Sequence, residues 1–70
     1  MERSLVSSSN VLSVGYDEAS QTLEVEFQRS GIYQYYNVSM LIYEQLMAAP
    51  SKGQFLNTYV VKNYPFSRVG

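Results

Sequence analysis

Between Thr22 and Gln28 the chain alternates without a break. Leu23, Val25 and Phe27 fall on one side, and Glu24, Glu26 and Gln28 on the other. Period two is the signature of a strand, whose successive side chains point to opposite faces. Such a strand meets a core on one face and water on the other, so it needs a sheet around it. Candidate partners lie on both sides. In Asn10 to Tyr16, Leu12, Val14 and Tyr16 alternate with Val11, Ser13 and Gly15, and the turn-forming Asp17-Glu18-Ala19-Ser20 follows. On the other side, Arg29-Ser30-Gly31 makes a hairpin turn and Ile32 to Tyr36 a third strand.

The hairpin decides where Tyr33 and Tyr35 point. A two-residue turn of Arg29 and Ser30 pairs Phe27 with Ile32 and puts both tyrosines on the outer face, beside Glu24 and Glu26. A three-residue loop, with Gly31 in a left-handed bulge, pairs Phe27 with Tyr33 and turns them into the core. A slip of one residue exchanges the faces. The glycine sits where the bulge needs it, which favours the core register.

Helix signals begin at Ser39, whose side chain can accept from a free amide of the first turn. Val38 and Tyr43 are spaced as a hydrophobic staple across that cap. Ile42, Tyr43, Leu46, Met47 and Ala49 form one apolar stripe, and Pro50 ends it. Ser51 is placed to cap a second, shorter helix with Phe55, Leu56, Tyr59 and Val60 on one face. Asn63 is placed to close it in the left-handed conformation. The expected fold is α+β: a three-stranded antiparallel β-meander followed by two helices packed on one sheet face, in two layers. One domain of 70 residues is expected, with a core of about 8–64, a loose serine-rich arm at 1–7 and a tail at 65–70.

Charge narrows function more than it narrows fold. The net charge is −1, and the five cations, Arg3, Arg29, Lys52, Lys62 and Arg68, are scattered singly. No basic cluster marks a duplex groove. Histidine and cysteine are absent, which removes the usual neutral-pH acid–base group, the commonest zinc ligands and thiolate chemistry. No metal and no cofactor are expected. No stretch is long and apolar enough to span a bilayer, and Met1-Glu2-Arg3-Ser4 lacks the order of a signal peptide. A cytoplasmic protein without membrane contact is the expectation.

Several blocks then match one pattern in order. They are Ser13-Val14-Gly15-Tyr16-Asp17, Leu23-Glu24-Val25-Glu26-Phe27 and Tyr33-Gln34-Tyr35, followed by Val38, Tyr43, Leu46, Ala49-Pro50-Ser51-Lys52-Gly53, Phe55 and Asn57. The set resembles the KTSC domain, named for a C-terminal extension of some lysyl-tRNA synthetases and also found as a small stand-alone bacterial protein. The resemblance spans Ser8 to Tyr64. Members of that family usually carry proline where this chain has Ser39, which still serves as a helix start. The resemblance implies the fold and an association with RNA, and no catalytic chemistry.

Two candidate sites follow. On the outer face, Tyr33 and Tyr35 would be a platform for unpaired bases, each stack worth roughly 1–3 kcal/mol. Ser51-Lys52-Gly53 offers amide hydrogens, a lysine and a small residue, the parts of an anion site. Its bland counterpart is a cap, a packing glycine and a solvated lysine. Lys62 is a further possible phosphate contact. Glu24 and Glu26 sit on one solvated strand face, not across a cleft, so they do not make a glycosidase pair. The functional expectation is a small non-enzymatic module binding tRNA or single-stranded RNA weakly, through about two or three phosphates. The alternative is a protein–protein interaction module, which the many tyrosines suit equally well.

Overall fold

The computed structural model describes residues 1–6 and 10–70. Five strands form one antiparallel sheet in chain order: β1 Arg3–Leu5, β2 Val11–Asp17, β3 Thr22–Phe27, β4 Gly31–Tyr35 and β5 Phe66–Arg68. Between β4 and β5 the chain forms α1, Met40–Ala48, and α2, Lys52–Phe55, which runs on into a π-helical turn, Leu56–Val60. The α+β class and the helix pair agree with the sequence. The meander has five strands, not three. Arg3–Leu5 lies in the expected arm and pairs with β2, and Phe66–Arg68 lies in the expected tail and pairs with β4. Residue 7 of that arm, with residues 8 and 9 of the expected core, lies outside the described residues.

Both helix starts follow the capping logic. The Ser39 side chain accepts from the Ile42 amide at 3.4 Å, and that of Ser51 from the Gln54 amide at 3.3 Å. Val38 before the first cap is fully buried, and Tyr43 packs against the same core. The second helix ends differently from the expectation. Asn63 is not left-handed; its side-chain amide donates to the Tyr59 carbonyl at 2.9 Å.

One core unites the layers. Val11, Val14, Leu23 and Val25 from the sheet meet Val38, Leu46, Leu56 and Val60 from the helical layer, all fully buried. Each such side chain contributes about 1.5–3 kcal/mol of burial free energy. The alternation expected in β2 breaks at Leu12, where a bulge between Val11 and Ser13 inserts one residue. Val11 and Val14 both reach the core as a result, and Leu12 is left exposed.

The β3–β4 pairing settles the tyrosines. Phe27 pairs with Gly31, Val25 with Tyr33 and Leu23 with Tyr35, around the loop Gln28-Arg29-Ser30. This is two residues from the favoured register. Because a two-residue shift preserves the face, Tyr33 and Tyr35 still join Leu23 and Val25 on the inner side. The outer-face platform is therefore excluded. Gly31 has φ +101°, and a Cβ there would lie 2.4 Å from the Gly70 carbonyl oxygen. The returning C-terminal segment occupies the space that any other side chain would need.

Glu24 and Glu26 are not a solvated face either. Arg3 from β1 lies across them, its Nε 3.1 Å from Glu24 Oε2 and its buried Nη1 3.5 Å from Glu26 Oε1. Gln34 donates to Glu24 at 2.9 Å, Ser13 donates to Glu26 at 3.1 Å, and Tyr36 donates to Gln34 at 3.3 Å. The outer face is a polar network centred on Arg3, whose buried Nη1 has an ion-pair contact but no hydrogen bond among the described residues.

Candidate functional site

Strand register sets out two inner-face rows. Tyr16, Leu23, Tyr35 and Phe66 form one, and Val14, Val25, Tyr33 and Arg68 the other. The helical layer covers these rows unevenly. At the β2 side, Tyr43 of α1 stacks on Tyr16 with centroids 4.9 Å apart and planes 12° from parallel. The Tyr16 hydroxyl donates to the Val38 carbonyl. At the β4–β5 side a cleft of about 430 Å³ remains between the sheet and the α2–π segment.

Four aromatic rings build the sheet wall of this cleft. Tyr33 meets Phe27 edge to face at 5.8 Å, and Phe66 lies 6.0 Å from Tyr33 and 5.9 Å from Tyr35. These are separations at which aromatic pairs attract and hold one another's orientation. The helical wall is Gly53, Asn57 and Val61. The π-helical turn makes that wall: the Val61 amide bonds back five residues to the Leu56 carbonyl at 2.9 Å. Residues four apart on one helix face line the cleft together, while Leu56 and Val60 stay in the core. The hairpin loop closes one end with Gln28, Arg29 and Ser30, beside Asn10.

The electrostatics are one-sided. Arg29 is the one ionisable side chain of full charge on the cleft, and no carboxylate lines it among the described residues. Burial, and after it the neighbouring Tyr33, raise the Tyr35 phenol above its ordinary value of 10.0. The Tyr35 phenol therefore stays neutral at physiological pH. Such a cleft offers ring faces, amide donors and acceptors, and one guanidinium. Among the described residues no nucleophile with a paired base lines it. Among the described residues no group of His, Cys, Asp and Glu could hold a metal, and no helix is long and apolar enough to cross a membrane.

Of the residues singled out in the sequence, Tyr33, Tyr35 and Gly53 come together here. Ser51 and Lys52 do not line the cleft. Ser51 caps α2, and the Lys52 ammonium donates to the carbonyls of Met47 at 2.9 Å and Ala49 at 2.7 Å. Half-buried, it is bonded to these carbonyls and terminates α1, where a cation suits the helix dipole. Lys62 is exposed beyond Val61 and off the cleft wall. Sequence reasoning missed the roles of Arg29, which looked like turn filler, and Phe66, which sat in the supposed tail. Asn57 stood among the resemblance blocks without a role.

Comparison with known proteins now has a site to refer to. The KTSC domain model matches residues 7–64. Over 54 residues the chain is 35% identical to a lysine–tRNA ligase from Nostoc punctiforme (strain ATCC 29133 / PCC 73102), covering 77% of this chain and 10% of that enzyme. The chain spans about a tenth of the length of the lysine–tRNA ligases it matches. An uncharacterized protein from Stutzerimonas stutzeri (strain A1501) is 34% identical over 70 residues, 99% of each chain. The crystal structure of a KTSC domain protein from Yersinia pestis matches with a TM-score of 0.97 at 36% identity, over 99% of this chain and 97% of that one. Ordered sequence blocks, fold and full-length relatives agree: the chain belongs to the KTSC domain family.

Proposed function

We propose that this domain is a non-enzymatic, cytoplasmic module that binds single-stranded RNA at the aromatic cleft. One observation carries the reading: four aromatic rings, amide side chains and a single arginine line the cleft, and no carboxylate does. An unpaired base has two π faces and a polar edge, and its neighbouring phosphate is an anion. Stacking on an aromatic wall is worth roughly 1–3 kcal/mol per base. The acidic residues lie elsewhere, Glu24 and Glu26 being bound to Arg3 across the sheet. A duplex has no edge that could enter. The matched segment of lysine–tRNA ligases, enzymes that act on tRNA, supports the same reading.

The test is an amide-shift titration of the labelled domain with mixed single-stranded RNA at low salt. Shifts are expected at 27–35, 53–61 and 66, and not on the outer face. A silent spectrum overturns the reading. It would favour a protein partner instead, for which the exposed Leu41 and Tyr59 of the helical layer are the observation.

A further inference from the structure

We infer that the cleft is a single-nucleotide pocket, in which Arg29 takes the one phosphate and Asn57 reads the edge of the base. The inference rests on the RNA reading above and goes further, to the size and recognition of the ligand.

The first argument is an accounting of cations. Arg3 is bound by Glu24 and Glu26 on the far face. Lys52 is committed to the end of α1. Arg68 donates to the Gly70 carbonyl at 3.0 Å. Lys62 is exposed and off the cleft. Arg29 is the cation that lines the cleft itself, with Arg68 in the neighbouring row beside Tyr33. A strand laid across several phosphates would find one cation where it needs several. The about two or three phosphates expected from the sequence reduce to about one.

The second argument is the position of Asn57. It sits in the π-helical turn, a geometry that is rare and frequent at functional sites. Asn57 is exposed and lines the helical wall of the cleft, opposite the tyrosines. A carboxamide carries donors and an acceptor on one plane, which matches the edge of a base whose face lies against one of these rings and whose edge is turned toward the helical wall. The cleft lies within the roughly 300–1,000 Å³ range of small-ligand pockets.

The experiment titrates the four nucleoside 5′-monophosphates separately, and then a short single-stranded RNA of mixed sequence, against the labelled domain. A mononucleotide is expected to move the same cleft resonances as the oligonucleotide, the Asn57 side-chain amide among them. One base is expected to bind roughly tenfold tighter than the weakest. Asn57→Ala should collapse that ratio toward one and leave the dispersed spectrum of the fold intact. The oligonucleotide should lose affinity with salt at a log–log slope of about −0.7, unchanged by Lys62→Ala and abolished by Arg29→Ala. Binding of the oligonucleotide without any mononucleotide, or a slope that Lys62→Ala reduces, overturns the single-nucleotide pocket and leaves the RNA reading standing. Equal binding of all four bases by the unaltered domain overturns the role of Asn57. Failure of both ligands overturns the RNA reading as well.

Discussion

Three tyrosines share the inner face of one sheet, and they have different fates. Tyr16 is covered by Tyr43, ring on ring, and its hydroxyl is bonded to the Val38 carbonyl. Tyr33 and Tyr35 line the cleft, Tyr33 half-buried and Tyr35 only 3% exposed, and among the described residues neither hydroxyl has a hydrogen-bond partner. Tyr16 and Tyr35 even lie in one row, separated by Leu23. The residue type and the face are the same, so what differs is the cover. The nine-residue α1 lies over one side, whereas α2 is four residues long and widens into the π-helical turn at the other. Tyr16 is satisfied within the fold. Tyr33 and Tyr35 keep their hydroxyls, and Tyr33 part of its ring, for the cleft.

Substitutions can break this contrast in descending order of effect. Tyr16→Ala removes the stack, the buried ring area and the partner of the Val38 carbonyl. It should cost about 3 kcal/mol in denaturant unfolding, a large share of the stability of a domain this small. Gly31→Ala forces a side chain into a left-handed position already filled by the Gly70 carbonyl, and should cost about 2 kcal/mol and loosen β5. Tyr16→Phe keeps the ring and leaves the Val38 carbonyl without its donor, for about 1 kcal/mol. Tyr33→Phe and Tyr35→Phe should each change stability by less than about 0.5 kcal/mol, because no bond within the fold is lost. If Tyr35→Phe costs as much as Tyr16→Phe, the contrast fails.

Alkaline pH gives the finest comparison. The Tyr16 phenol is raised by burial and then by the carboxylates of Glu18 and Asp17; that of Tyr35 is raised by burial and then by Tyr33. With folded values above the unfolded 10.0, the unfolded chain loses its protons first. The associated stability is thus complete below pH 10.0 and is lost as pH rises through the folded values. Tyrosinate absorbance followed against pH should show two phenols ionising late, with Tyr16→Phe and Tyr35→Phe each removing one of them.

How much of this was legible depended on how locally each feature is determined. The alternation of β3 and the caps at Ser39 and Ser51 are set by neighbouring residues, and the structure has them where the sequence puts them. The edge strands are not local. Arg3–Leu5 and Phe66–Arg68 are three residues each, too short for alternation to speak, and they form because β2 and β4 present unpaired edges. Pro65 disguised the second, yet it only precedes the strand, and its carbonyl accepts from the Tyr36 amide at 2.9 Å. The site divides in the same way. Tyr33, Tyr35 and Gly53 announced themselves by residue type, whereas Lys52 misled because its partners are carbonyls of the preceding helix. Phe66 and Arg29 became visible once the sheet brought the hairpin and the C-terminal strand to one end.

β5 also sets when the cleft exists. The β2–β3–β4 hairpins close over a few residues, but Phe66 reaches Tyr35 after the whole helical segment has intervened. Such non-local pairing is slow to form. All three β5 residues are exposed, so this strand belongs to the part of the molecule that opens most readily. In hydrogen exchange the amides of Ile32 and Tyr36, which bond to the carbonyls of Gly70 and Pro65, should therefore exchange well before the core of β3. The cleft is a late-assembled, readily reopened wall on an otherwise early-folding meander, and an occupant that touches Phe66 would be read as slowed exchange at those two amides.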